Sequence, residues 1–126
     1  MARQQNLGMS AEWFVGEDKS LPFEVYSQDE ATIENVTGWA MQWVLRRVQG
    51  GDDVKLSKTT SGGGVAISGT YNADPAVNTQ RVTVTVADTD TQFFQPGLYM
   101  HTLKRTDAGF ATVLAYGQVF LKKAAL

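Results

Sequence analysis

Strict two-residue alternation constrains this chain more than any other feature. Trp39, Met41, Trp43 and Leu45 fall on one face of an extended segment, with Gln42 and Arg46 on the other. Val82, Val84 and Val86 alternate with Thr83 and Thr85. Side chains of a strand point to opposite faces in turn, so both segments read as half-buried antiparallel strands with one face on a core. Trp13 to Val15 and Leu21 to Tyr26 are shorter runs of the same kind. Pro22 suits a sheet edge or a strand start, because it donates no ladder hydrogen bond. Lys55 to Thr59 and Val65 to Ser68 flank Ser61-Gly62-Gly63-Gly64, which reads as a hairpin connection. Leu98 to Arg105 and Val113 to Lys122 flank a second turn, Thr106-Asp107-Ala108-Gly109, built from small and polar residues.

Helical character is confined to about one turn around Asp88 to Phe93, where Asp88 is placed to cap the start. Pro96-Gly97 then breaks the chain before the next strand. Seven to eight strands at spacings of roughly 8–15 residues predict an all-β, immunoglobulin-like antiparallel β-sandwich. A length of 126 residues, without internal repeat, linker or composition shift, fits one domain. Residues 1–11 read as an extended N-terminal arm and residues 12–126 as the sandwich. The expected core is Trp39, Met41, Trp43, Leu45, Val82, Val84 and Val86, with Trp39 or Trp43 as its central aromatic. In antibody domains such a Trp packs against a disulfide. This chain has no Cys, so apolar packing is expected to do that work alone.

Composition narrows the chemistry. Without Cys there are no disulfides, thiolate nucleophiles or Cys-based metal sites, and one His excludes multi-His metal motifs. His101 falls in the strand Leu98 to Arg105 with no general-acid or nucleophile partner nominated by the sequence, so a half-buried structural histidine is expected. Asp88-Thr89-Asp90 fails as a calcium loop, because the required Gly and Glu positions hold Phe93 and Tyr99. Asp52-Asp53 after Gly50-Gly51 reads as a solvated hairpin tip. Ser61 to Gly64 lacks the Lys and the helix of a phosphate-binding loop. No catalytic, cofactor-binding or metal-binding residue is assigned, and no cofactor is expected.

Eleven basic and thirteen acidic residues leave a net charge of −2, which argues against nucleic acid as a partner. Arg46, Arg47, Lys104 and Arg105 would form a basic patch where strands meet, read as a solvated sheet face. The chain opens on no signal-peptide-length apolar run and holds no stretch of about 18 apolar residues, so no membrane association is expected. Asn35-Val36-Thr37 matches a glycosylation sequon but would then never meet the machinery. Phe93-Phe94 would face opposite ways on a strand, leaving one of them exposed.

Four phrases stand in order: Phe14 to Leu21 (FVGEDKSL), Val36 to Trp39 (VTGW), Pro96 to Tyr99 (PGLY) and Leu103 to Asp107 (LKRTD). Together, over roughly residues 12–122, they resemble small tailed-bacteriophage virion proteins, similar to the N-terminal immunoglobulin-like module of phage baseplate upper proteins. The resemblance implies a non-enzymatic structural protein, made in the host cytoplasm and carried in the virion. It would dock as repeated copies, homo-oligomeric and against other phage structural proteins, in the tail, baseplate or head–tail connector region. The family brings no catalytic residues. The long baseplate proteins continue into further domains whereas this sequence stops at Leu126, so an adaptor, collar element or decoration is expected. Candidate subunit contacts are Arg3, Gln4, Gln5, Leu7 and Met9 of the arm, with Phe93 and Phe94. An open sandwich edge would let a neighbour's arm add a strand. Two alternatives are a capsid decoration (cement) protein and a carbohydrate-binding or adhesion module with Trp13, Tyr26 and Tyr71 as a stacking platform.

Overall fold

The computed structural model describes residues 3–4, 13–26, 32–48 and 54–123, the first pair by backbone alone. Among them the elements run β1 (Arg3–Gln4), β2 (Trp13–Phe14), β3 (Lys19–Phe23), β4 (Met41–Arg47), β5 (Val54–Thr59), β6 (Val65–Ser68), β7 (Arg81–Val86), α1 (Asp88–Thr91), β8 (Gly97–Arg105) and β9 (Thr112–Lys122). They build two sheets. In the larger, β5, β4, β8 and β9 lie side by side, and β1 and β2 both pair with β9 in parallel, so six strands fill five positions. The smaller has the order β3-β7-β6. Every other strand pairing is antiparallel. The connectivity is that of the immunoglobulin sandwich: β3, β7 and β6 stand as strands B, E and D, and β4, β5, β8 and β9 as C, C′, F and G.

The core follows from the alternation. β4 buries Met41, Trp43 and Leu45, while β7 buries Val82, Val84 and Val86, and all six belong to one apolar cluster. Pro22 is exposed on β3, an edge strand of the small sheet, opposite Thr83. There its missing N–H removes no ladder bond.

Four expectations need correction. Trp39 is not a core residue of β4. Gly38 (φ 80°) turns the chain, the Trp39 N–H donates to Val36 O at 3.0 Å, and β4 begins only at Met41. Trp39 is half-buried, with the Arg105 guanidinium 3.9 Å from its ring centroid. The Ser61–Gly64 turn does not close a hairpin, because β5 lies in the large sheet and β6 in the small one. Asp88 does not cap α1: Ala87 occupies the cap position, and the Asp88 N–H itself donates to Asp18 Oδ1 at 2.6 Å. His101 is wholly buried rather than half-buried.

That histidine takes the place of the missing disulfide. Trp43 Nε1 donates to His101 Nδ1 at 3.2 Å, so Nδ1 carries the lone pair and Nε2 the proton. The His101 ring also packs against Phe23 of β3, centroids 6.0 Å apart, so Phe23 and His101 bridge the two sheets. Two residues before His101, Tyr99 donates its hydroxyl to Gln95 O at 2.7 Å. This is the tyrosine corner of immunoglobulin folds, at the same offset from the strand-F bridge position. Burial pushes the Tyr99 phenol pKa up, against the opposing charge of Arg47.

α1 is tied to the large sheet by charge. Burial works to raise the Asp90 pKa, but the Lys58 ammonium at 2.8 Å and the Ala87 N–H outweigh it and hold the carboxyl below its ordinary value. A depressed carboxylate pKa stabilises the fold above the unfolded-state value of about 4, and that contribution fades as pH falls through the folded-state value. Lys58→Met is therefore expected to destabilise the domain at pH 7 and to show a smaller difference at pH 3. Denaturant melts at the two pH values measure it.

Candidate docking surfaces

Residues paired across an antiparallel ladder project to the same side, so register alone defines the outer face of the large sheet. The inward rows hold Trp43 opposite Leu103 and Leu45 opposite His101, all buried. The intervening residues look outward. One row runs Tyr116, Thr102, Val44, Ser57 across β9, β8, β4 and β5. The next runs Gln118, Met100, Arg46, Val54, and the rim beyond it pairs Phe120 with Leu98. Val48 joins that rim through its N–H to Leu98 O at 3.1 Å. On the other flank Val113, Lys104, Gln42 and Thr59 complete the face, and Gln42 Nε2 donates to Ser57 Oγ at 3.0 Å.

This face is apolar where a solvated sheet would be polar. Val113, Tyr116, Phe120, Val48 and Val54 are all exposed. Leu98, Met100 and Val44 are half-buried between them. Its charges are the cations Arg46 and Lys104, and these four rows contain no carboxylate. Contiguous apolar patches on a domain surface are commonly interaction sites, which makes this face the candidate. The outer face of the small sheet has a different chemistry, with Ser20, Pro22, Thr83, Thr85, Ala66 and Ser68 on it.

Each expected contact can now be placed. The backbones of Arg3 and Gln4 pair with Ala115 and Tyr116 of their own β9, an intramolecular partner for that part of the arm. Gln5, Leu7 and Met9 lie outside the described residues, as do Asp52 and Asp53. Phe93 is 90% exposed in the turn after α1, the most solvent-facing large apolar side chain among the described residues. Phe94 is no free anchor: it is half-buried and stacks on Tyr99, centroids 5.8 Å apart. Because neither phenylalanine is on a strand, the opposite-faces argument reached the right outcome through the wrong local structure.

The basic patch does not form. β4 and β8 are antiparallel, with Arg46 opposite Met100 and Lys104 opposite Gln42. Arg46 and Lys104 thus stand four residues apart along the strands, roughly 13 Å. Arg47 donates to Gln95, and Arg105 is clamped by Asp107 and by the rings of Trp39 and Phe110. The Arg105 hydrogen bond and the Ala40 N–H hold the Asp107 pKa below its ordinary value. The glycan platform is overturned as well: Trp13 is fully buried, and Tyr71 donates its hydroxyl to Ile33 O at 2.8 Å.

The sheet edges are guarded rather than open. β3 carries Pro22, β5 carries Lys55 and Lys58, β6 has four residues, and β9 is lined by β1 and β2. Proline, lysine, brevity and cover are the standard means of blocking strand addition. The exposed apolar surface of the described residues includes the outer face and Phe93. Among the described residues no group of three or more His, Asp or Glu side chains is arranged to hold a metal ion, and no helix is long and apolar enough to cross a membrane.

The outer face is not visible in the sequence when only the core-facing phase of each strand is read. β8 is apolar in both phases, with Leu98 and Met100 in one and Tyr99 and Leu103 in the other; that double phase was the available signal. No protein-family model and no curated protein matches the chain.

Proposed function

We propose that the chain is a non-enzymatic structural protein of a tailed-bacteriophage particle. It docks as repeated copies against other phage structural proteins in the tail, baseplate or head–tail connector region. The observation that carries this reading is the apolar outer face of the large sheet, set on a sandwich whose interior is packed for rigidity and whose edges are blocked. Such a part works by contact, and many copies make modest single contacts collectively strong. The resemblance of the four ordered phrases to phage virion modules supplies the particle as the setting.

The experiment deletes residues 1–11 and measures incorporation into purified particles. The shortened chain keeps Trp13 and every core strand, so it is expected to fold, with an unchanged near-ultraviolet spectrum. Its incorporation is expected to fall by about tenfold or more, as loss of one of several linked contacts produces. Normal incorporation of the shortened chain would remove the arm from the proposal. Densitometry of the same particles gives location: tens of copies support tail or connector, whereas hundreds favour capsid decoration.

A further inference from the structure

We infer that the outer face of the large sheet is a self-complementary surface that pairs two copies of this chain around a two-fold axis. The inference goes beyond the virion reading and stands whether or not the chain enters a particle. Consider an axis parallel to the strands, lying between two facing sheets and midway between β4 and β8. Rotation about it reverses the lateral order, so β8 of one copy covers β4 of its partner and β9 covers β5. Two such faces pack with their strands within about 30° of each other, the geometry of aligned sheets.

Register then dictates who meets whom. The row Tyr116, Thr102, Val44, Ser57 meets its own reverse, which seats the phenol of Tyr116 over the small Ser57. The next row brings Arg46 over Met100 and Gln118 over Val54. At Tyr116 over Ser57 and Gln118 over Val54 a larger side chain of β9 meets a smaller one of β5, so relief at that flank of one copy matches a hollow on the other.

Charge passes the same test. Arg46 meets Met100 and Lys104 meets Gln42, so neither cation faces a cation across the axis. Met100 accepts the guanidinium stem by dispersion, and Gln42 offers its amide oxygen to the ammonium. Isologous pairing of this kind is the commonest symmetry of soluble oligomers.

The size is that of a weak, reversible pair. Four facing strand positions about 4.8 Å apart and about seven residues of about 3.3 Å each cover ~440 Å² in plan. Two copies therefore bury ~900 Å², the low end of specific interfaces and in keeping with micromolar association.

Sedimentation equilibrium of the full chain tests the inference. At about 100 µM the wild type is expected to sediment as a dimer with a micromolar dissociation constant. That is twice the 13.8 kDa of one chain. Val44→Arg, which adds a third cation to the centre of the face, and Ser57→Trp, which fills the seat of Tyr116, are each expected to weaken association by about 30-fold or more. Thr83→Arg, on the outer face of the small sheet, is expected to leave it unchanged. Near-ultraviolet circular dichroism reports that each variant is folded, since neither Val44 nor Ser57 belongs to the buried cluster. A wild type that stays monomeric, or a Val44→Arg variant that still dimerises, overturns the proposal. A dimer broken by deletion of residues 1–11 but not by Val44→Arg would assign pairing to the arm and overturn it equally.

Discussion

Replacing Trp43 with alanine is expected to destabilise the domain by about 4–6 kcal/mol, the sum of an aromatic truncation of about 3–5 kcal/mol and about 1 kcal/mol for an orphaned acceptor. The side chain is fully buried at the centre of the cluster, and its indole N–H is a donor to the His101 ring. Typical domains hold about 5–15 kcal/mol in total, so this one change removes about a quarter of the margin or more. Trp43→Phe separates the two contributions. It keeps most of the bulk and deletes only the donor, and about 1–2 kcal/mol is expected. Trp39→Ala is the contrast, because that ring is half-buried, packing against the margin of the cluster on one side and Arg105 on the other. A cation–π contact at such a site is worth about 0.5–1 kcal/mol, with a similar sum for partial burial. Urea titrations followed by tryptophan fluorescence rank the three variants. Equal costs for Trp39→Ala and Trp43→Ala would contradict the assignment of Trp43 as the central aromatic.

Gly69→Ala is expected to cost about 3 kcal/mol, more than loss of glycine's left-handed freedom alone (about 1 kcal/mol) would explain. Gly69 follows β6 at φ 82°, and a Cβ there would run into the carbonyl of Thr79. That carbonyl lies two residues before β7 enters the sheet. The N–H groups of Thr79 and Gln80 both donate to Thr70 O at 3.1 Å, closing the loop. Closure positions the buried Gln80, whose Oε1 accepts from the Val36 N–H at 3.2 Å and whose Nε2 donates to Thr37 Oγ1 at 3.0 Å. A methyl at 69 pushes this whole connection outward. Gly38→Ala and Gly109→Ala isolate the backbone contribution, since both have positive φ and a Cβ at either would meet nothing within 4 Å. In a domain of this size about 3 kcal/mol lowers the melting temperature by roughly 10 °C, against roughly 3–4 °C for the controls. Calorimetry giving equal shifts for the three would show that the contact at Thr79 relaxes freely.

Much of the fold was legible because strands declare themselves by period. β4 and β7 were marked by Trp43, Leu45 and the Val82-Val84-Val86 series, and β8 and β9 by long runs around a polar turn. Pro22 was placed at an edge for a reason that the sheet order bears out. What was illegible is partnership across sequence distance. Ser61 to Gly64 have the chemistry of a hairpin turn, yet a turn does not say whether the next strand stays in its sheet. Trp39 keeps the two-residue phase of Trp43, but the turn at Gly38 and the Ala40 N–H bonded to Asp107 at 3.0 Å stop the strand before reaching it. Trp13 sits in a strand of two residues, too short to show any period, and it is fully buried.

The site was illegible for a related reason. The docking surface is a set of rows across four strands, and each row mixes residues from distant parts of the chain. Arg46 and Lys104 were grouped as one patch from their neighbours in sequence, and antiparallel register separates them. His101 had no partner in sequence because its partner, Trp43, is fifty-eight residues away.

The direct test of the proposed virion role is a cryo-electron map of intact particles. Repeated density for the two-sheet sandwich is expected in the tail, baseplate or connector, with Tyr116, Met100 and Val44 of the large sheet buried against a neighbour. A particle map with no such sandwich, or one in which that face is turned to solvent in every copy, would contradict it.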